Sequence, residues 1–296
     1  MSEKAAELPH MERELNMSLM TPLRGLSSLA LGCVTTLALA GSVAAEALQQ
    51  IGAPVPDGMG FQPASSPVAV EAQGLETMVL WIIGVITVFV CALLLYVIVR
   101  FNAKANPTPA KFTHNTPVEV VWTLVPILVL VFIGSFSLPA LFDQMEIPAA
   151  DLTIKVTGNQ WFWSYAYPDA NVSFDSVLLE KKDLAAAGYK DTDYLLAVDN
   201  ALVVPVNKVV RVEMTGADVI HAWAVPAFAV MHSAVPGRLG ETWFKATKEG
   251  IYFGQCTTLC GQGHAYMPIE VKVVSEEAYA KWLEAAKGGN YQLASN

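Results

Sequence analysis

Two stretches of this 296-residue chain, residues 77–99 and 120–142, run for 23 residues each without a charged side chain. Coiled as a helix at about 1.5 Å per residue, each would reach about 35 Å, enough to cross a hydrocarbon core about 30 Å thick with some tilt. Pro126 removes one backbone donor inside the second stretch. A membrane helix tolerates that when neighbouring helices cover the gap, so packing against something larger is expected. The connection between the stretches carries Lys104 and Lys111, is bordered by Arg100, and holds no acidic residue before Glu119. By the positive-inside rule it is cytoplasmic, which sends both outer ends of the hairpin across the membrane.

The N-terminus points the same way. Arg24 precedes an apolar run over 26–40 and the small residues of 41–47, the pattern of a secretory signal peptide cleaved near 44–47. Residues 1–45 are therefore expected to be removed, with translation starting at Met17 or Met20, since the acidic first sixteen residues do not suit a signal. An exported segment, 46–75, would follow. Helix 1 is expected over 76–100, the cytoplasmic loop over 101–119 and helix 2 over 120–142.

From 143 onward the pattern changes to short alternating segments at 152–156, 161–167, 194–198, 209–214, 221–225, 241–246, 251–255 and 269–273, punctuated by Gly, Pro, Asn and Asp. These predict an antiparallel β-sandwich or barrel over 143–274. A helix capped by Ser275 is expected over the final segment, 275–296. The net charge is −9, and most of the excess acid lies after Asp143. That balance argues against a nucleic-acid partner and for a cationic protein one. No phosphate loop and no Ser/His/Asp hydrolase pattern is present.

The chemistry concentrates in one block. Cys256, Cys260, His264 and Met267 follow each other at spacings of four, four and three, and His221 opens a predicted strand upstream. Thiolate, imidazole and thioether form the soft ligand set that suits copper in an electron-transfer site. A mononuclear centre needs one thiolate; a second thiolate allows both sulfurs to bridge two ions, each with its own imidazole. Structural zinc would accept the cysteines and histidines but has no use for Met267. A disulfide between Cys256 and Cys260 is the other alternative in an oxidising compartment.

Several motifs together resemble subunit II of bacterial cytochrome c oxidase, a haem–copper respiratory enzyme: EVVWT at 119–123, GNQWFWSY at 158–165, VDN at 198–200, HAWAVP at 221–226, VPGR at 235–238 and the block 256–268. The resemblance implies a two-helix transmembrane hairpin plus a cupredoxin-like Greek-key sandwich, placed in the bacterial inner membrane with the C-terminal domain in the periplasm. It implies a binuclear copper centre, CuA. Cys256 and Cys260 would bridge both coppers, His221 and Met267 would complete one, and His264 with the backbone carbonyl of Thr258 the other. It implies that Trp161 receives electrons from cytochrome c, that Glu119 marks a proton-channel entrance shared with subunit I, and that Asp199 and Asp218 dock the donor. Subunits I and III are the implied membrane partners.

Four positions depart from the family pattern. Thr258 stands where a glutamate is usual; the carbonyl contact to copper survives that change, but the carboxylate that would hold an interface Mg²⁺ or Mn²⁺ does not. Asn159 replaces a usual histidine, and Met231 with Ser233 replaces a usual Lys and Asp. Two other functions fit the same residues less fully. A quinol-oxidase subunit would lack the soft ligands, and a membrane-anchored copper-delivery protein would need no partner in the membrane.

Overall fold

The computed structural model describes residues 48–293. The expected signal peptide lies outside them. In chain order the elements are β1 (Gln50–Gly52), α1 (Pro67–Arg100), α2 (Thr116–Met145), β2 (Leu152–Asn159), β3 (Phe162–Tyr167), β4 (Val172–Ser176), β5 (Leu202–Pro205), β6 (Val210–Gly216), β7 (His221–Val225), β8 (Val230–Ala234), β9 (Gly240–Phe244), β10 (Gly250–Cys256), β11 (Pro268–Val274) and α3 (Glu276–Lys287).

Helix α1 starts ten residues before the charge-free run. Its start is set by a cap: the Ser66 hydroxyl accepts the amide of Ala69, and Pro67 takes the first-turn position where a missing N–H costs nothing. At the other end the Asn102 amide donates to the free carbonyls of Ile98 and Val99. Asn115 caps α2 by accepting from Val118 N, and Glu119 Oε1 accepts from Asn115 N in return. Both helices are apolar on every side, and side chains such as Trp81 (72%) and Val131 (65%) are exposed. A helix apolar all round must be surrounded by something apolar, which a bilayer supplies.

The remainder folds as two packed sheets. One runs β4-β3-β2-β6-β9; the other runs β5-β11-β10-β7-β8. Strand β1 joins the second sheet by pairing in parallel with the first half of β10, whose last residues, Gln255 and Cys256, pair with β7. Alternation decides which side chains face inward. In β6, Val210, Val212 and Met214 are buried and Arg211, Glu213 and Thr215 are not; in β3, Trp163, Tyr165 and Tyr167 point in. Strands β7 and β11 are buried along almost their whole length, and the long 177–200 segment covers Glu270 of β11 through Tyr189 and Val198.

The structure corrects the strand expected over 194–198. Asp193 captures that segment: its carboxylate accepts the amide of Lys190 and its carbonyl accepts those of Leu196 and Ala197, winding a turn with Leu195 at φ 72°. Only Val198 bridges to Leu178. Strands β1, β4, β5 and β8 were not anticipated. They are short edge or near-edge strands of three to five residues, and β4 and β8 each follow a turn through a left-handed residue, Asn171 or Ala229.

One acid is sealed in this sandwich. Glu270 on β11 is wholly buried; it accepts the hydroxyl of Tyr189 and the amide of Val198 at 3.1 Å, and Lys272 Nζ lies 3.5 Å away. Burial pushes its carboxyl pKa up by more than Lys272, Tyr189 and Val198 pull it down. The folded chain therefore holds this proton more tightly than the unfolded chain. The corresponding stability is complete at pH below the ordinary carboxylate range and is lost as pH rises through the raised value. Thermal unfolding of the full chain followed by circular dichroism should show a fall in Tm with rising pH that Glu270→Gln flattens. An equal fall in the variant contradicts the assignment.

Candidate metal centre

The end of the sandwich where β10 stops and β7 begins collects the soft side chains. Cys256 is the last residue of β10 and sits opposite Trp223 of β7, two residues along from His221. The chain then loops through Cys260, makes a short turn at His264–Tyr266 and places Met267 immediately before β11. Five side chains of three ligand types thus converge from two strand ends and one loop. Cys256 Sγ lies 3.9 Å from Cys260 Sγ. Cys260 Sγ lies 3.5 Å from both His264 Nδ1 and Met267 Sδ. The ligand atoms of His221, Cys256 and Cys260 all fall within 4.8 Å of one another. The carbonyl of Thr258 turns toward the same place and accepts the Cys256 thiol at 3.3 Å.

His221 is the informative member. It has no exposed surface, and its Nε2 is 2.8 Å from Asp218 Oδ1. Its Nδ1 is buried with no hydrogen-bond partner. A buried polar atom without a partner is costly, so a lone pair in that position calls for an electron-pair acceptor. A soft cation between His221 and the two sulfurs satisfies it, and the residues present fit copper. Burial, with the neighbouring Cys256, raises the Cys260 thiol pKa to about 12. A bound cation reverses that cost, because a coordinating thiol gives up its proton.

A second ring of residues fixes these ligands. Partial burial pushes the Asp218 carboxyl pKa up, but hydrogen bonds with His221 and the amides of Val219 and Gln160 outweigh it and hold the pKa below the ordinary value. Oδ2 takes the Gln160 amide at 2.7 Å while Oδ1 takes the imidazole, so one carboxylate joins the β2–β3 turn to the ligand. Gln160 then donates through its side chain to Cys260 O at 2.8 Å, and the Trp161 indole donates to the same carbonyl at 3.3 Å. The alternation of β3 would send Trp161 into the core with Trp163. Trp161 precedes the strand and lies half-exposed over the loop that carries Cys260 and Gly263.

Three glycines make room. A Cβ on Gly158 would sit 2.8 Å from the His221 ring, and one on Gly263 would sit 2.3 Å from Trp161 Cδ2. Gly261, at φ +120°, turns the loop where few side chains can follow. Spacing along the chain gives no role to Gly158, Gln160, Gly261 or Gly263. Gly158 and Gln160 make their contacts across the sandwich, to His221 and to Asp218 and Cys260, far from them in sequence.

The remaining expected site residues lie apart. Asp199 is exposed, and its Oδ1 accepts the amides of Val177 and Asn200, with no bond to the cluster. Glu119 is in the first turn of α2, at the end of the hairpin remote from the β-sandwich.

Comparison with known proteins decides the family. A family model of the periplasmic domain of cytochrome c oxidase subunit II matches residues 152–274, and one of its transmembrane domain matches 54–140. The chain is 55% identical over 283 residues to cytochrome c oxidase subunit 2 of Cereibacter sphaeroides, covering 89% of this chain and 93% of that one. The chain belongs to the cytochrome c oxidase subunit II family. It is also 39% identical over 232 residues to subunit 2 of Cyanidium caldarium, covering 76% of this chain and 89% of that one. Among solved structures, the periplasmic domain of subunit II of cytochrome oxidase from Bradyrhizobium japonicum is 54% identical, with a TM-score of 0.45, and covers 50% of this chain and 100% of that one. The fold is accordingly two apolar helices followed by a cupredoxin-like sandwich, and membership of the family implies a copper centre.

In this subunit II the orienting role of Asp218 is open to a direct test. Asp218→Ala leaves the imidazole free to rotate, and copper affinity measured by chelator competition should fall about 10- to 100-fold. Unchanged affinity contradicts the role.

Proposed function

We propose that this chain is the electron-accepting subunit of a cytochrome c oxidase in the bacterial inner membrane, with its β-sandwich in the periplasm. It takes electrons one at a time from cytochrome c and passes them to haem in subunit I, where O₂ is reduced to water with proton pumping. The observation that carries this reading is the convergence of Cys256, Cys260, His221, His264 and Met267 with an unpartnered His221 Nδ1. Held there, a pair of coppers supplies a one-electron store shared between both ions.

The side chains of this chain set the terms of the transfer. Cys256 and Cys260 would bridge the two ions. His221 and Met267 would complete one, and His264 with the Thr258 carbonyl the other. Strand ends and buried packing fix the positions of Cys256 and His221 before any electron arrives, so little rearrangement accompanies transfer. Trp161 offers a route inward: its half-exposed indole packs against Gly263 and hydrogen-bonds the carbonyl of Cys260, linking the surface to a ligand backbone. Asp199 would contribute to docking the donor. Asp218 would do so as well, with its free edge, while holding His221. Glu119, at the remote end of α2, would form the proton-channel entrance with subunit I, and subunit III would complete the membrane partners. Thr258 carries a hydroxyl where an interface Mg²⁺ or Mn²⁺ would need a carboxylate, so that second metal site is not part of this reading.

The reading is tested by metal content and electron-spin resonance on the purified protein. Two coppers per chain and a mixed-valence signal spread over two nuclei are expected. One copper with a four-line pattern, or none, overturns it. Gly263→Ala tests the Trp161 route separately. It displaces the indole without touching a ligand side chain, and should slow electron uptake from cytochrome c about tenfold or more with the copper spectrum retained. Unchanged uptake contradicts the route.

A further inference from the structure

The two ends of the hairpin meet the β-sandwich in opposite ways. Helix α2 leads into β2 beside a cavity of about 310 Å³ lined by its own Gln144 and Met145, by Val68 of α1, and by Met231 and Trp243 of the sandwich. Helix α1 is bolted. Ser65 and Ser66 at its start are 0% and 1% exposed, values usual for a protein core and unusual for two serines next to a membrane span. Ser66 Oγ donates to Phe228 O at 2.8 Å while accepting from Ala69 N at 3.0 Å, so one hydroxyl both caps the helix and grips the domain. The Ser65 amide donates to Ala227 O at 2.8 Å. Its carbonyl accepts both the amide of Thr247 at 2.9 Å and the Thr247 hydroxyl at 3.1 Å. Val68 and Ala69 are buried against the same face.

The gripped turn, Pro226–Phe228, follows β7, and rigid rings carry its position inward. Phe228 stacks on Phe244 with centroids 4.8 Å apart at 7°, and Phe244 stacks on Trp223 at 6.1 Å and 25°. Trp223 is the register partner of Cys256. A short chain of buried, hydrogen-bonded or stacked groups thus runs from the start of α1 to a ligand of the cluster.

We propose that Ser65 and Ser66, with Thr247, are positioning residues that hold the metal cluster at a fixed height and tilt over the membrane, so that electrons leave it across a constant gap. This rests on the electron-transfer reading above. Transfer between fixed centres depends steeply on their separation, and the buried hydrogen bonds described above between a helix and the sandwich are those at the start of α1. The cap hydroxyl is satisfied at both of its bonds, so its loss strands Phe228 O and Ala69 N in a buried place.

The test uses the assembled membrane oxidase carrying Ser66→Ala with Thr247→Val. Three quantities are compared with the parent: the copper spectrum, the rate of electron uptake from cytochrome c, and the rate at which the flash-reduced centre passes its electron to the partner haem. The spectrum and uptake should be unchanged, and the outward rate should fall about tenfold. Ser66→Thr, which keeps both hydroxyl bonds, should restore the parent rate. If the double variant does not assemble, Thr247→Val alone, which preserves shape, should show a smaller fall in the outward rate with the same intact spectrum. An outward rate equal to that of the parent, or one that falls as far in Ser66→Thr as in Ser66→Ala, overturns the inference. A parent enzyme without the shared two-copper spectrum overturns the electron-transfer reading and this inference with it.

Discussion

Two buried sulfurs held 3.9 Å apart beside an unpartnered imidazole nitrogen are the constraint around which the soluble half is organised. In the absence of a cation this arrangement is unfavourable: the Cys260 thiol resists ionisation and His221 Nδ1 has nothing to bond. The surrounding structure makes it persist. Cys256 is fixed by strand pairing to Trp223, His221 by the Asp218 carboxylate, and the loop bearing Cys260 by hydrogen bonds from Gln160 and Trp161 to a single carbonyl. A site held this firmly before the metal arrives is suited to moving electrons, because the ligands have little left to adjust.

The same economy extends to the membrane half. The hairpin contributes no ligand, but its first helix starts inside the sandwich rather than after a flexible linker. Buried serines, the Pro226–Phe228 turn and a stack of three aromatic rings connect it to the strand pair that carries Cys256. The membrane anchor and the ligand cluster are thereby joined through a continuous chain of packed groups, even though the two halves are built for different solvents.

Much of this was legible in the sequence because it is written in period and spacing. Charge-free runs long enough for a bilayer marked the two helices, and two-residue alternation marked β2, β3, β6 and β11. The ligands between Cys256 and Met267 lie on one loop, where distance along the chain approximates distance in space. Elsewhere longer-range contacts decided the outcome. Helix α1 extends back to Pro67 through a polar stretch because Ser66 caps it against Phe228, a residue 162 positions away. The strand expected near Tyr194 gave way to the turn that Asp193 winds. Trp161 fits the alternation of β3, yet its ring belongs to the metal loop. Gly158 looks like an ordinary strand glycine until the His221 ring is placed against it from the neighbouring sheet.

The central claim is that both cysteines serve one shared pair of ions. Copper-edge X-ray absorption on the purified, copper-loaded chain addresses it most directly. The account predicts a metal–metal scattering contribution together with sulfur and nitrogen neighbours for every copper, and its disappearance when either Cys256 or Cys260 is replaced by serine. Copper surrounded only by light atoms and sulfur, with no second metal in range, would contradict it.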